Sequence, residues 1–208
     1  MNIKPLILFD LDWTLINVSK LKQALYVLLA AVCKTEASKI EKEFEQYIST
    51  LVSRTDFSVE ELTEHLTRKY QVPQSAILTA ITGTKQIYSS SLYPEVAATV
   101  EKLSSKYTLG IFSEGTSLWQ KTKVTLSELL PFLNKDRIYI FRRKCDSVSL
   151  QQIPDNAFVV DDKIAVCETL QSKTALTPIW LNRKSEESSS TIKTIHNLSE
   201  LTVILQSE

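Results

Sequence analysis

Two segments of this chain join a short apolar run to an abrupt acidic ending. Leu6-Ile7-Leu8-Phe9 stops at Asp10-Leu11-Asp12, and Phe158-Val159-Val160 stops at Asp161-Asp162. A run of bulky apolar residues this short, the first just after Pro5, suits a strand buried on both faces of a parallel sheet. Such strands end where open α/β folds place their ligands, at the carboxyl edge of the sheet. Two carboxylates there repel each other unless a cation or a proton lies between them. If the two strands are neighbours, their four acids converge on one place, and the all-oxygen ligand set favours Mg²⁺. Taken alone, Asp10-Leu11-Asp12 also fits a solvated turn, so the rest of the chain has to decide.

Between the two segments the patterning changes. Ile40, Phe44, Tyr47, Ile48 and Leu51 recur at helical spacing on a charged background. Ser58 and Glu61 have the spacing of a capping box, opening a helix with Leu62, Leu66 and Tyr70 on one face, and Pro73 ends it. Ala76 to Tyr88 resumes the pattern and runs into Ser89-Ser90-Ser91, which reads as a linker. The longest apolar run, Ala24 to Cys33, is too short to span a bilayer and reads as a buried or interface helix. The α/β pattern returns at Tyr93-Pro94-Glu95-Val96, a helix start. Tyr107 to Phe112 reads as a second strand and Arg137 to Phe141 as a third. Ala175 to Leu181 reads as a fifth, placed near an edge by Pro178.

The second strand leads into Ser113-Glu114-Gly115-Thr116 and a helix expected over Ser117 to Leu130. A hydroxyl, a glycine turn and a helix start put a side-chain donor and free backbone N–H groups at one spot, which suits a phosphate oxygen. An ordinary turn uses the same residues. After the third strand come Arg142, Arg143 and Lys144. A phosphoryl-transfer site rich in aspartates needs a fixed cation, although a basic strand end also sits well in water.

In this order, Phe9-Asp10-Leu11-Asp12-Trp13-Thr14-Leu15, Ser113, Lys144 and Asp161-Asp162 resemble the four motifs of the haloacid dehalogenase (HAD) superfamily of phosphohydrolases. The resemblance implies that Asp10 attacks phosphorus and that Asp12 is the general acid/base. It implies a phosphate-binding set of Ser113, Lys144, Thr14 and Glu114, with Thr14 holding the turn after the first strand. Asp10, the backbone carbonyl of Asp12, and Asp161 or Asp162 would hold Mg²⁺. The helical block corresponds in position to the family's C1 cap, and Thr194 to Leu201 resembles its closing segment, where a final helix packs on the sheet. Three departures stand out. Glu114 occupies a place where Asn is common, Val160 a place where Gly is usual, and Lys144-Cys145-Asp146 lacks the following Pro and full helix. Lys121, Lys123 and Arg143 stand behind Lys144 as candidates for the third-motif cation.

Composition excludes several other classes. The 24 basic and 24 acidic residues cancel, so no global field draws the chain to nucleic acid or to an anionic membrane. With Gly83, Gly110 and Gly115 as its only glycines, the chain contains neither a G-x-G-x-x-G loop nor a P-loop. Cys33, Cys145 and Cys167 lack metal-type spacing and read as small apolar residues, and His65 and His196 read as surface and structural residues. With no signal peptide, the expected compartment is the cytoplasm.

The resulting expectation is a doubly wound parallel α/β sheet, a HAD-like Rossmannoid core of residues 1–15 and 92–208, with a helical cap over 16–91. Its function would be Mg²⁺-dependent hydrolysis of a small phosphate ester through an aspartyl-phosphate, with a monomer and a homodimer both open. A haloacid dehalogenase would share the fold and the nucleophile but has no use for Asp12. A non-catalytic HAD-like protein binding a partner through its cap is the alternative.

Overall fold

In the computed structural model, which describes residues 4–205, six parallel strands form one sheet. They are β1 (Leu6–Phe9), β2 (Thr108–Glu114), β3 (Ile138–Phe141), β4 (Phe158–Asp161), β5 (Thr177–Leu181) and β6 (Lys193–Ile195), in the order β3-β2-β1-β4-β5-β6. The first three and last three positions of the expected core lie outside the described residues. The chain winds from β1 outward to β3, returns to the other side of β1 as β4, and winds on to β6. β1 and β4 are therefore paired where the winding reverses, with Phe9 opposite Val160. This is the position at which doubly wound sheets open a crevice beyond their strand ends.

The central strands are apolar on both faces because both faces are covered. Ile7 and Phe9 enter the core on one side of the sheet with Leu109, Ile111 and Val160, while Leu8, Phe112 and Val159 enter on the other. That is the period of two of a pleated strand. All eight are essentially without solvent exposure, and each such side chain contributes about 1.5–3 kcal/mol by leaving water. Gly110 lies opposite Leu8 in the register. A Cβ there would come within 2.2 Å of the Arg137 carbonyl oxygen, so the absence of a side chain sets how closely the chain entering β3 approaches β2.

Five helices separate β1 from the helix preceding β2: α1 (Val18–Cys33), α2 (Ala37–Thr50), α3 (Val59–Tyr70), α4 (Gln74–Gly83) and α5 (Lys85–Ser89). Asn17 caps α1 by accepting from the Lys20 N–H, and Lys34 ends it in the left-handed conformation. Leu21, Leu25 and Leu29 form its buried face. Ser58 caps α3 by accepting from the Glu61 N–H, which is half of a capping box. The other half is absent, because the Glu61 carboxylate accepts the Tyr47 hydroxyl at 2.7 Å while the Ser58 N–H donates to that same hydroxyl. The entry and exit of the block run side by side. Asn17 N–H donates to Ser91 O at 2.8 Å, Tyr93 N–H to Leu15 O at 3.1 Å, and Ile16 bridges Leu92.

The remaining helices, α6 (Val96–Ser104), α7 (Ser117–Leu126), α8 (Ser147–Leu150), α9 (Ile164–Lys173) and α10 (Leu201–Ile204), connect or flank the strands. Three expectations change. α7 stops at Leu126 rather than Leu130, with Glu128 at positive φ just beyond it. The Ala76–Tyr88 pattern divides at Thr84 into α4 and α5. β5 lies near the edge as expected, one strand in from it, and β6 pairs with it from Ile179 onward, one residue past Pro178, so the missing N–H falls outside that pairing. Thr194 and Ile195, expected in the closing segment, instead join Lys193 as that edge strand, and three residues are too few to show a period. Among the described residues no helix is long and apolar enough to cross a membrane.

Candidate active site

The register brings the two acidic endings together. Asp10 N–H donates to Val160 O at 2.9 Å, so Asp10 and Asp161 leave neighbouring strands at the same level. Asp10, Asp161 and Asp162 each present a carboxylate oxygen, and these oxygens lie within 4.8 Å of one another. Lys144 reaches them from the loop after β3. Its Nζ donates to Asp10 Oδ1 at 2.7 Å and to Asp161 Oδ2. The lysine, Asp10 and Asp161 are all buried. Burial opposes the charge on Lys144, but the two carboxylates outweigh it and hold the ammonium protonated above the usual lysine range. Burial pushes the Asp10 carboxyl up to about 7, against the pull of Lys144. It also pushes Asp162 up to about 6, with Asp161 adding to the rise.

Two further observations test whether this set suits a divalent cation. Asp162 Oδ1 is buried with no hydrogen-bond partner among the described residues. The carboxyls of Asp10 and Asp162 are also held above their ordinary range, the condition that a nearby positive charge relieves. The donor set therefore fits a hard cation, with both acids of the β4 pair in reach.

Asp12 stands apart from this cluster. After β1 the chain makes a tight turn held by its backbone: Leu15 and Ile16 both donate to Leu11 O, Trp13 N–H donates to Ile16 O, and Trp13 has φ of 66°. This turn carries Asp12 toward α7, where Lys123 Nζ sits 2.6 Å from both carboxylate oxygens and Gln120 Nε2 donates to Oδ2 at 3.2 Å. Thr14, expected to hold the turn, is fully buried beneath it with its hydroxyl unpartnered among the described residues, and its carbonyl accepts from Arg183 at 2.9 Å.

Ser113 is the penultimate residue of β2, two beyond the residue that pairs with Phe9. Its hydroxyl is buried and has no partner among the described residues. Glu114 lies half-buried on the wall of a cleft, its carbonyl accepting from Gln120 Nε2 at 2.8 Å. That cleft, about 400 Å³, opens between the strand ends and the helical block. Asp10, Asp12, Lys123 and Lys163 line its polar side, and Trp13, Phe44, Ile48, Phe57 and Trp119 its apolar side.

The four candidate cations thus have separate fates. Lys144 meets Asp10, Lys123 meets Asp12, and Arg143 turns to the helical block, binding Asp56 at 3.1 Å and Thr55 Oγ1 at 2.7 Å, while Lys121 is exposed. The Lys123–Asp12 contact and the support from Arg183 are additions that the sequence reading lacked. Gln120 and Lys123 are three apart, on one helix face, and that spacing was the available signal. Of the histidines, His65 binds the buried Glu43 at 2.8 Å and His196 Nδ1 lies 3.0 Å from Asn182 O, both away from the cleft.

Comparison with known proteins agrees with this geometry. The haloacid dehalogenase-like hydrolase family matches residues 7–138, and no curated protein matches the chain. Among solved structures, a haloacid dehalogenase-like hydrolase from Burkholderia xenovorans superposes with a TM-score of 0.67 at 16% identity, covering 99% of this chain and 98% of its own. An HAD phosphatase from Thermococcus onnurineus gives a TM-score of 0.59 at 21% identity, covering 99% of each chain. A 2-haloacid dehalogenase from Pseudomonas syringae gives 0.59 at 17%, again over 99% of each. At these identities the likeness is one of fold, and it extends to enzymes of both chemistries. With the acids of β1 and β4 joined through Lys144 at the switch point of a doubly wound parallel sheet, this chain belongs to the haloacid dehalogenase-like hydrolase family.

Proposed function

We propose that the chain is a Mg²⁺-dependent phosphohydrolase acting on a small phosphate ester. The observation that carries this reading is Asp12, a second carboxylate lining the same cleft as Asp10 and held there by a buried lysine. An enzyme that displaces halide needs one nucleophile and no proton for its leaving group. Ester cleavage needs both a nucleophile and a proton donor.

In the proposed reaction, Asp10 Oδ attacks phosphorus, the bond to the ester oxygen breaks, and Asp12 gives its proton to that oxygen, releasing the alcohol. Water then attacks the aspartyl-phosphate, Asp12 takes the water's proton, and the bond from phosphorus to Asp10 breaks, yielding inorganic phosphate and the free carboxylate. Ser113 Oγ, buried and unpartnered, donates to a phosphoryl oxygen. Lys144 offsets the charge gathered at Asp10. Asp10, Asp161 and Asp162, with the backbone carbonyl of Asp12, would hold Mg²⁺, which supplies positive charge to the phosphoryl oxygens and keeps Asp10 ionised. Glu114 stays on the cleft wall facing the leaving group, since a carboxylate against phosphate would repel it. The block of α1 to α5 acts as the lid, with hinges at the adjacent crossings near Ile16-Asn17 and Ser89-Ser91.

The test is a panel of phosphate esters and 2-haloacids assayed with Mg²⁺ for wild type, Asp10→Asn and Asp12→Asn. Wild type should release phosphate from an ester, Asp10→Asn should be inactive, and Asp12→Asn should lose about 10²–10⁴-fold. Halide release without phosphate release would refute the reading. A wild type no faster than Asp10→Asn on every compound would leave a metal site in a protein whose work is binding.

A further inference from the structure

We infer that Lys123, assisted by Gln120, is the positioning residue for Asp12, the group to which the phosphohydrolase reading gives proton transfer. The inference rests on that reading. The turn fixes the Asp12 backbone through the bonds of Leu11, Trp13, Leu15 and Ile16, but none of those bonds reaches its carboxylate. Its side chain is 31% exposed at the mouth of the cleft, and such a carboxylate samples several rotamers unless something grips it. Lys123 supplies the grip. Its ammonium lies 2.6 Å from both oxygens, and Gln120 donates to one of them.

The lysine itself has little freedom. It is 2% exposed, and its Nζ stands over the Trp119 ring at 4.8 Å from the centroid. Trp119 is in turn held between Phe57 at 5.4 Å and Tyr88 at 6.2 Å, both from the helical block. A buried ammonium cannot leave its counter-ion cheaply, so the pair defines where the Asp12 carboxylate points. Lys144 performs a different task, because its two partners are Asp10 and Asp161. The site thus has two buried lysines, one for the nucleophile and metal ligands and one for the acid/base.

The consequence is kinetic and specific to the second step. With an aryl phosphate such as p-nitrophenyl phosphate, the phenolate leaves without needing a proton, so Asp10 is phosphorylated even when Asp12 is misplaced. Hydrolysis of the aspartyl-phosphate still requires Asp12 to take a proton from water. Lys123→Met should therefore show a burst of about one phenolate per enzyme, followed by steady-state turnover about 10²-fold below wild type, the scale of a misplaced catalytic group. KM should fall together with kcat, leaving kcat/KM for the aryl ester nearly unchanged, because slowing only dephosphorylation lowers both by a similar factor.

Lys123→Arg keeps the charge and should recover most of the rate and remove the burst. In an Asp12→Asn background, Lys123→Met should cost nothing further, since a residue that acts through Asp12 has nothing left to position. Should Lys123→Met fail to fold, Gln120→Leu carries the same burst criterion through the second donor.

Wild-type turnover in Lys123→Met, a rate loss without a burst, or independent losses in the double variant would each overturn the inference while leaving the phosphohydrolase reading intact. A wild type that hydrolyses no ester would remove both, because there would be no proton transfer to position.

Discussion

Replacing Lys144 by Met isolates the electrostatic centre of the site. The side chain is 1% exposed and its ammonium is shared between Asp10 and Asp161, themselves 5% and 0% exposed. Met fills much of the same volume and removes the charge, leaving two buried carboxylates facing each other. Removing one partner of a buried pair costs about 3–5 kcal/mol. For a chain of this size, roughly 2–4 °C in Tm per kcal/mol gives a fall of about 6–20 °C in EDTA at pH 8. The pH dependence has a definite sign. Asp10 is already raised from 3.8 to about 7 in the fold, so between those values the native state binds more protons than the unfolded state, and its contribution to stability grows as pH falls. Without Lys144 the neighbouring acids take up protons still more readily, so the gap between wild type and variant should narrow at pH 5.5. Thermal unfolding followed by circular dichroism at the two pH values measures both effects. A variant whose Tm at pH 8 lies within a degree or two of wild type would refute the claim that Lys144 is the counter-ion of this cluster.

Two further outcomes follow from the same geometry. Titrating Mg²⁺ into metal-free protein at pH 8 should raise Tm, with about 2.7 kcal/mol of stabilisation once Mg²⁺ reaches 100-fold over its Kd, and a flat melting temperature through tens of millimolar would count against the Asp10, Asp161 and Asp162 site. Gly110→Ala should destabilise by about 1–3 kcal/mol or more, because the new Cβ meets a backbone oxygen at 2.2 Å that cannot rotate away. The midpoint of urea unfolding reports this, and an unshifted midpoint would show that β2 and the chain entering β3 are not packed as closely as described.

Much of the fold was legible because its signals are local. An apolar run that stops at paired acids marks both a buried strand and the end of it that faces a ligand, so β1, β4 and the positions of Asp10 and Asp161 could be read directly. Helical periodicity marked the block between β1 and β2 for the same reason, since burial of one face imposes a spacing on the chain. Elements without a period were not legible. β6 has three residues, and the end of α7 is set by a left-handed residue at Glu128 that carries no strong sequence signature.

By itself, then, the sequence determined which residues are apolar enough to be strands, which acids terminate them, and that one helical segment lies between. It did not determine which charge meets which. The resemblance put Lys144 first, but by charge alone Lys121, Lys123, Arg143 and Lys144 could each have been the cation at Asp10. The sheet order decided the matter: it put the ends of β1 and β4 side by side, brought the loop after β3 across β2 to them, and laid one face of α7 against Asp12. Coulomb attraction and burial act over a few ångströms in space, whereas these partners are separated by as much as 134 positions in the chain. Only the folded arrangement of strands converts that separation into contact.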